Sequence, residues 1–398
     1  MTEWTGGARA ALPQDAESAT LVGRVWDAAA RGPIVVAVRG DDAFDLSATF
    51  ATMRDVAESE HPASAVADAA GPRVASIDEL LANTAADARD PGASWLLSPI
   101  DLQVVKAAGV TFPASMLERI IEEKARGRAD AAEDIRATVL AALGGELKDL
   151  VPGSPEATRL KEVLVAEGLW SQYLEVGIGP DAEIFTKAPV LATVGTGIDV
   201  GIRSDSEWNN PEPEVVLVID STGRIVGATL GNDVNLRDIE GRSALLLGQA
   251  KDNNGSAAVG PFIRLFDRGF DLDRLRRETV TLRVDGADGF RMEAQSHMAQ
   301  ISRDPADLAA QALNERHQYP DGLVLYLGTM FAPTDDRGLA GQGFTHHVDD
   351  VVRISSPALG MLVNRVKRTE TLEPWSYGVH ALMTSLAERG LLTTKELA

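Results

Sequence analysis

Three acidic side chains in the middle of the chain have the spacing of a metal site. Glu212 and Glu214 stand two residues apart at the start of an apolar run, Val215–Ile219, which predicts a β-strand. Because side chains of a strand alternate between its two faces, both carboxylates point to the same face. A second predicted strand leads to Asp233, and a short turn at 221–224 joins the two strands as a hairpin. All three carboxylates can therefore share one cation.

Oxygen ligands of this kind suit magnesium or manganese. Three carboxylates in one place repel one another unless a cation lies between them, and octahedral Mg²⁺ or Mn²⁺ prefers all-oxygen ligation with room for water. In the alternative interpretation Glu212 and Glu214 form a solvated strand edge and Asp233 a turn, since acidic clusters are common in an acidic chain. The spacing alone does not decide between the two.

The elements that must position these carboxylates are predicted from hydrophobic periodicity. The second half of the chain is β-rich, because its apolar runs are short and separated by Gly, Asp or Pro. A helical pattern begins at Pro113, with apolar residues three and four apart. Further helices are predicted over 129–149, 154–167, 304–316 and 377–389. Strands are predicted over 104–112, 188–194, 215–219, 225–230, 280–284 and 323–327.

The first part of the chain is predicted to form a separate small α+β domain. Apolar runs at 21–25 and 34–38 with turn residues after the second run indicate hairpin strands. An alanine-rich, acidic segment over 49–89 indicates short helices. We therefore expect a small N-terminal domain over residues 1–95 and a catalytic domain over residues 96–398.

Composition excludes several classes of function. The 398 residues include 59 acidic and 38 basic ones, and the net charge of −21 repels nucleic acids and anionic lipids. The absence of cysteine excludes disulfides, thiolate zinc sites and cysteine nucleophiles. No apolar run approaches the length of a membrane span, and no nucleotide-binding glycine motif or serine-hydrolase elbow is present. We expect a cytoplasmic protein without a nucleic-acid or membrane partner.

Several motifs follow one another in the order seen in a known superfamily. They are Glu183-Ile184-Phe185-Thr186-Lys187-Ala188-Pro189, Glu212-Pro213-Glu214, Gly231-Asn232-Asp233-Val234-Asn235-Leu236-Arg237-Asp238, Lys251 and Val259-Gly260-Pro261. In this order the chain resembles the fumarylacetoacetate hydrolase superfamily over residues 100–366. The resemblance implies an α+β, β-rich fold with a mixed β-roll catalytic domain. It also implies that Glu212, Glu214 and Asp233 bind magnesium or manganese, and that the protein is a homodimer or homotetramer.

One stretch departs from the pattern of the hydrolytic members. They carry N-Y-x-x-H-x-x-E, whose histidine and glutamate activate water, whereas residues 111–118 place Ser115 at the histidine position. The segment 62–296 contains no histidine at all. With Ser115, Glu118 and Arg119 on one helix face, this stretch resembles the sugar-acid dehydratase branch. That branch implies a hydro-lyase that converts a 2-keto-3-deoxy-pentonate (2-dehydro-3-deoxy-D-pentonate) into 2,5-dioxopentanoate in non-phosphorylative pentose catabolism.

The resemblance also suggests roles for the polar residues of these motifs. A lysine beside a cation and away from water has a lowered pKa, so Lys251 is the preferred base at C3 of the substrate. Glu118 is the candidate acid at C4, although the sequence does not separate Lys251 from Glu118 in the two proton transfers. Ser115 belongs to the same predicted catalytic set. Substrate binding is assigned to Lys187, Arg237, Thr329 and Arg119. A structural ion pair is the alternative for Lys187 and Arg237, and a turn cap is the alternative for Thr329.

Other functions stay open on the sequence alone. The same metal site would serve an acylpyruvate or fumarylacetoacetate-type hydrolase, or a decarboxylase of a 2-keto acid. A non-catalytic protein that binds a metal or a sugar acid is a third alternative. His346 and His347 lie in a polar, glycine-containing stretch that predicts a solvent-exposed, mobile loop over the active site. Under the hydrolase interpretation one of these histidines would be the base.

Overall fold

The computed structural model describes residues 7–126, 128, 150–166, 170–331, 333, 335–337 and 343–392. The helix predicted over 129–149 lies outside these residues. In the described part the fold is α+β and rich in strands, as the resemblance implied. No helix among these residues has the length and apolar character needed to cross a bilayer.

The helices and strands of the described residues are numbered in chain order. The strands are β1 (Leu21–Asp27), β2 (Gly32–Arg39), β3 (Asp42–Asp45), β4 (Arg73–Ser76), β5 (Trp95–Leu96), β6 (Val104–Gly109), β7 (Glu183–Ala188), β8 (Ile198–Ile202), β9 (Asn209–Asn210), β10 (Pro213–Ile219), β11 (Ile225–Asp233), β12 (Asn235–Leu236), β13 (Ala257–Leu265), β14 (Thr279–Asp285), β15 (Arg291–His297), β16 (Leu323–Tyr326), β17 (Val351–Ser356) and β18 (Gly360–Arg368). The helices are α1 (Ala8–Ala11), α2 (Met53–Ala57), α3 (Pro62–Asp68), α4 (Ile77–Ala82), α5 (Pro113–Ala125), α6 (Pro155–Ala166), α7 (Gln172–Ile178), α8 (Arg237–Glu240), α9 (Leu247–Lys251), α10 (Leu272–Leu275), α11 (Pro305–Ala312) and α12 (Val379–Glu388).

The largest sheet joins the beginning of the chain to its middle. Its strand order is β4-β3-β2-β1-β13-β11-β10-β16-β6-β7, and β5 pairs with β1. The neighbours are antiparallel except for β16 and β6, which are parallel. Because β1 pairs with β13, with Leu21 opposite Arg264, the N-terminal strands extend the same sheet that contains β10 and β11. The domain boundary near residue 95 stays a prediction.

A second sheet packs against the large one and closes the main core. Its order is β15-β14-β17-β18-β8, and β9 and β12 form a separate two-stranded ribbon. Leu217 and Leu230 from the large sheet pack in one buried cluster with Leu282, Ile354 and Leu362 from the second sheet. Apolar residues thus alternate inward from both sheets, which is the period-two pattern that half-buried strands require.

Helix α5 begins at Pro113, as predicted from the proline and the apolar spacing that follows it. Met116, Ile120 and Ile121 recur at helical spacing and are buried against Leu174 of α7. With this face held in the core, other residues of α5 are presented to the large sheet. The helix is thereby fixed beside the ends of β10 and β11.

One predicted strand is misplaced. The sequence predicted a strand over 188–194, but β7 spans Glu183–Ala188 and the chain turns after it. Pro189 cannot donate a hydrogen bond to a neighbouring strand, and Leu191 has a positive φ of 58°. Proline at this position therefore ends the strand at the point where the sequence pattern predicted its start.

Candidate active site

The three predicted metal ligands meet at one end of the β10–β11 hairpin. Within the hairpin Glu214 lies opposite Gly231, and the turn is closed by Asp220, whose Oδ1 accepts hydrogen bonds from two backbone N–H groups at 2.9 Å. One carboxylate oxygen from each of Glu212, Glu214 and Asp233 lies within 4.8 Å of the others. All three side chains are buried. The structure therefore confirms the hairpin and the convergence predicted from the spacing.

Cationic side chains surround two of these carboxylates. Glu212 accepts hydrogen bonds from Arg119 and Lys251, and Lys251 Nζ also lies 3.4 Å from Asp233 Oδ2. Lys187 Nζ lies 2.7 Å from Asp233 Oδ1. Glu214 instead accepts a hydrogen bond of 2.7 Å from the backbone N–H of Gly328. Lysine and arginine side chains thus offset the negative charges of Glu212 and Asp233, whereas Glu214 is bound by a neutral backbone N–H group.

The pKa values follow this uneven pairing. Burial, and then the charges of Asp233 and Glu212, raise the pKa of Glu214 well above its ordinary value. Burial acts in the same direction on Glu212, but Arg119 and Lys251 outweigh it and hold the pKa of Glu212 below its ordinary value. A divalent cation bound by oxygen would relieve the repulsion that raises the pKa of Glu214. The donor set therefore fits magnesium or manganese.

The two lysines differ in what surrounds them. Burial lowers the pKa of Lys187, whose side chain is completely inaccessible to solvent. Burial also acts to lower the pKa of Lys251, but the charges of Asp233, Glu212 and Glu240 outweigh it and raise the pKa. The lowered pKa that the sequence predicted at Lys251 is therefore found at Lys187. The roles of both lysines stay predictions.

Lys187 is held by several acceptors besides Asp233. Its Nζ donates to the backbone carbonyls of Val234, at 3.2 Å, and of Lys251, and it lies 3.3 Å from Ser256 Oγ. An ammonium group has three protons to donate. These contacts use that capacity, so Lys187 is placed to fix the orientation of Asp233 and the end of α9.

Helix α5 brings Ser115 and Arg119 to the carboxylates. Arg119 bridges Glu212 and Glu240, with Nη1 2.8 Å from Glu240 Oε2. Ser115 Oγ donates a hydrogen bond of 2.9 Å to the carbonyl of Phe112, one turn earlier in the chain. Both residues of this helix face therefore lie beside the three carboxylates, and their roles stay predictions.

Arg237 and Glu118 pair with each other across the site. Arg237 Nη2 lies 3.4 Å from Glu118 Oε2, and its Nη1 donates a hydrogen bond of 3.2 Å to the carbonyl of Pro333. The guanidinium of Arg237 also lies over the ring of Trp208, 4.8 Å from the ring centroid. The sequence left a structural ion pair as the alternative role for Arg237. The structure shows such a pair with Glu118 on α5, a partner that the sequence spacing did not suggest.

A small cavity opens beside the carboxylates. Its lining includes Ser115, Arg119, Thr329, Lys251, Glu183, Phe185, Glu240 and the three predicted metal ligands. The hydroxyl of Thr329 accepts a hydrogen bond of 3.2 Å from the N–H of Phe331, so it also stabilises the turn after β16. The structure therefore brings most of the predicted site residues to one cavity, with Lys187 behind its wall and the Arg237–Glu118 pair beside it.

Glu183 belongs to one of the sequence motifs, but the sequence predicted no role for it. Burial first, and then the charge of Glu240, raise the pKa of Glu183 to about 7. The pairing of β6 with β7 places Glu183 opposite Gly109, where an added Cβ would lie 2.0 Å from Glu183 Oε2. Glycine therefore makes room for this carboxyl. Only a long-range strand pairing reveals the position, and the sequence carried no local signal for it.

The solvent-exposed loop predicted for the two histidines is wrong for His346. Its side chain is buried, and its Nδ1 lies 3.1 Å from Asp350 Oδ2. Arg337 binds the other oxygen of Asp350 at 2.7 Å, so Asp350 holds both residues. Burial lowers the pKa of His346. His347 is half exposed, as expected, and neither histidine is among the described residues that line the cavity.

Comparison with known proteins points to one family. Residues 177–367 match the family described as fumarylacetoacetate (FAA) hydrolase C-terminal. The chain is 34% identical over 189 residues to the 2-dehydro-3-deoxy-D-arabinonate dehydratase of Saccharolobus solfataricus, a match that covers 47% of this chain and 59% of that relative. It is 31% identical over 194 residues to a probable 2-keto-3-deoxyxylonate dehydratase of Haloferax volcanii, covering 49% and 63%. The match thus spans less than two thirds of either curated relative.

A solved structure extends the likeness over most of the chain. A 2-keto-3-deoxy-D-arabinonate dehydratase complexed with magnesium and 2,5-dioxopentanoate superposes with a TM-score of 0.60 and 24% identity. The superposition covers 87% of this chain and 99% of the other. At this identity the likeness concerns the fold.

Proposed function

Because residues 177–367 match the family described as fumarylacetoacetate (FAA) hydrolase C-terminal, we propose that the protein is a magnesium-dependent dehydratase of 2-keto-3-deoxy-pentonates, with 2,5-dioxopentanoate as product. One observation carries the proposal: three buried carboxylates converge on a cavity in which none of the described lining residues is a histidine. Hydrolysis needs a group that activates water, whereas loss of water from the substrate does not. Likeness to two relatives named as dehydratases of such sugar acids supports the same reaction.

Glu212, Glu214 and Asp233 would hold the metal. When bound, magnesium would stabilise negative charge on the keto oxygen of a substrate, which makes the C3 proton acidic. The similar dehydratase was solved with magnesium and 2,5-dioxopentanoate, which supports this choice of ion. Arg119, which contacts Glu212, is the cation placed to meet the substrate carboxylate.

In the elimination the chain's own residues must move two protons. The proposed reaction removes a proton from C3 and hydroxide from C4, which leaves as water once protonated. The new C3–C4 alkene then loses a proton from C5 and regains one at C3, and the resulting enol takes a proton at C4 and releases its hydroxyl proton to form the aldehyde at C5. We assign Lys251 to the C3 proton and Glu118 to the C4 hydroxyl. A divalent cation held by Glu212 and Asp233 would offset the negative charges that raise the pKa of Lys251, and Lys251 could then act as a base. Glu183 is a third candidate, because a buried carboxyl with a pKa of about 7 can hold or release a proton at neutral pH.

Turnover of two epimers tests the function. The protein is incubated with magnesium and 2-keto-3-deoxy-D-xylonate or its C4 epimer, and the aldehyde is followed with a coupled semialdehyde dehydrogenase. We expect 2,5-dioxopentanoate from at least one epimer and no pyruvate. Glu214→Gln, checked for its fold by circular dichroism, is the matched inactive control.

Two other outcomes would replace the proposal. Rapid release of pyruvate from acetylpyruvate, with neither epimer consumed, would establish a hydrolase. Binding of magnesium and pyruvate without turnover of any 2-keto acid would establish a non-catalytic binding protein.

We also infer a cytoplasmic homo-oligomer. The support is the family resemblance and an acidic, cysteine-free composition. Light scattering on the full chain measures the oligomeric state, and a monomer at micromolar concentration would contradict it.

A further inference from the structure

The strand pairing that aligns the metal ligands continues beyond them without a change of register. Strands β10 and β11 hold one part of it, and the ribbon of β9 and β12 holds the next. Between the two, the N–H of Asp233 donates to the carbonyl of Glu212 at 2.9 Å. The facing pairs are, outward from the turn, Glu214 and Gly231, Glu212 and Asp233, and Asn210 and Asn235.

This register fixes which side chains share a face. Residues two apart on a strand point to the same side, so Asn210 and Asn235 lie on the face that carries Glu212 and Asp233. The separation along the strands is about 6.7 Å, or two residues at the usual rise. The asparagine pair, Asn210 and Asn235, is therefore the direct neighbour of the metal ligands.

The asparagine pair carries unsatisfied polar atoms. Asn210 is 3% and Asn235 0% exposed. Asn210 Nδ2 donates to the carbonyl of Pro211 at 2.8 Å, but Asn210 Oδ1 and both amide atoms of Asn235 have no hydrogen-bond partner among the described residues. A buried polar atom without a partner costs about 1–3 kcal/mol. These three atoms therefore indicate a polar group that the pair receives.

The atoms that lack partners define the chemistry of that group. Two carbonyl oxygens accept hydrogen bonds and one amide nitrogen donates them. A hydroxyl group, which has one proton to donate and two lone pairs that accept, can satisfy the amide nitrogen and one of the two oxygens. A carboxylate would be repelled by the two oxygens, and a cation would be repelled by the amide N–H groups.

The length of the proposed substrate agrees with this position. A five-carbon chain spans roughly 5 Å with ordinary bond lengths, so a pentonate whose keto acid end lies at Glu212 and Asp233 brings its far end to the next facing pair. Helix α5 covers the same path, since Arg119 contacts Glu212 and Glu118 reaches Arg237. Resting on the proposed function, we propose that Asn210 and Asn235 bind the terminal, C5 hydroxyl of the substrate.

Two substrates that differ only at C5 test the subsite. The wild-type protein is compared on a 2-keto-3-deoxy-pentonate and on 2-keto-4-hydroxypentanoate, which lacks the terminal hydroxyl, and substrate loss is followed by chromatography. We expect kcat/KM to be at least tenfold higher for the pentonate. Asn235→Leu should reduce that ratio to below threefold while leaving kcat/KM for 2-keto-4-hydroxypentanoate within threefold of the wild type.

Thr229→Val is the matched control. Thr229 lies on the same face of β11, on the other side of the metal ligands, and its hydroxyl is also buried without a partner among the described residues. This variant should keep the wild-type preference for the pentonate.

The outcomes separate the subsite from the proposed function. Equal turnover of both substrates by the wild type would overturn the subsite even if Asn235→Leu failed to fold. An equal loss on both substrates in Asn235→Leu would show that the pair holds only an ordered water, and would also overturn it. Turnover of neither substrate by the wild type would overturn the proposed function, and the subsite with it.

Discussion

Glu183 is a carboxyl of this site whose charge changes near neutral pH. Burial and the charge of Glu240 raise its pKa to about 7. Its proton is therefore bound in the folded chain over a pH range where an unfolded chain has already released it. This difference makes the stability of the protein depend on pH.

We predict that Glu183→Gln flattens this dependence in metal-free protein. Between the ordinary pKa of 4.5 and about 7 the folded chain binds more protons than the unfolded one, so the free energy of unfolding falls as pH rises. A shift of this size corresponds to roughly 3 kcal/mol, present below pH 4.5 and lost by pH 7. The measurement is urea unfolding at pH 5, 6 and 7.

Glu207→Gln changes an exposed side chain and is the control. In this variant the free energy of unfolding should depend on pH as it does in the wild type. An unchanged slope in Glu183→Gln would show that the carboxyl of Glu183 is solvated.

We predict that the two lysines separate stability from catalysis. Lys187→Met removes the cation next to Asp233 in a fully buried pair, which should cost about 3–5 kcal/mol of unfolding free energy. Lys251→Met should lower kcat much more than it changes KM, because a base acts mainly in the transition state. Thermal melts and steady-state kinetics of both variants provide the measurement.

An increase in KM alone for Lys251→Met would identify that lysine as a holder of the substrate carboxylate. A wild-type melting temperature in Lys187→Met would remove its positioning role.

At the residue scale, the sequence predicted the site residues that the β10–β11 hairpin positions. It missed those whose position depends on other strand pairings. Glu212, Glu214 and Asp233 follow from a period of two and one short turn. Glu183 needed the pairing of β6 with β7, and the asparagine pair needed that of β9 with β12. The pairing of β6 with β7 has no local signal, since Gly109 and Glu183 are more than seventy residues apart. The pairing of β9 with β12 continues the register of the hairpin, but the sequence did not show that the polar atoms of this pair lack partners.

At the scale of elements, the glycine opposite Glu214 makes room on β11 for the ring of Tyr326, which reaches it from β16 across the intervening strand β10. A Cβ at Gly231 would lie 2.4 Å from the ring of Tyr326 and 2.6 Å from Val216. We predict that Gly231→Ala destabilises the hairpin by about 1–3 kcal/mol, the usual cost of overpacking a buried site. It should also weaken magnesium binding, measured by calorimetry.

Gly248→Ala is the matched control, because a Cβ there meets nothing within 4 Å and alanine favours the helix α9. If Gly231→Ala melted like the wild type, the ring of Tyr326 would be able to move aside without cost.

Local pattern also explains which elements the sequence predicted. The strands β10 and β11 and the helix α5 have long, regular apolar patterns and were predicted within a few residues. Strand β15 was not predicted, because Met292 is the large apolar residue that it buries while much of its other face is exposed. Strand β15 forms because it pairs with the neighbouring strand β14 at the edge of the second sheet.

At the scale of the whole molecule, the start of the chain supports the hairpin. Glu58, which follows α2, accepts hydrogen bonds of 2.7 Å from both the N–H and the hydroxyl of Ser221 in the β10–β11 turn. Strand β1 pairs with β13, which in turn pairs with β11. The N-terminal segment therefore stabilises the turn at the end of the hairpin opposite the metal ligands.

We predict that magnesium stabilises the entire fold. A ligand that binds only the folded state adds about 2.7 kcal/mol at one hundred times its dissociation constant. Chelation should therefore lower the melting temperature and abolish turnover, and magnesium or manganese should restore both. Differential scanning calorimetry with and without chelator measures the shift.

The melting temperature of Glu214→Gln should not change with magnesium. The melting temperature of Glu207→Gln, a variant of an exposed side chain, should rise as much as that of the wild type. Equal shifts in the wild type and in Glu214→Gln would place the ion elsewhere.

The pairing of β10 and β11 beside the metal ligands also constrains how the protein can evolve. On the opposite face of β10, Val215 and Leu217 pack in the apolar core. Inserting one residue between Glu214 and the turn would exchange the two faces, unless a bulge absorbed it, and would drive carboxylates into that core. An insertion of two would leave the faces as they are. We therefore expect that relatives with the same chemistry differ in this part of the strand by insertions or deletions of an even number of residues.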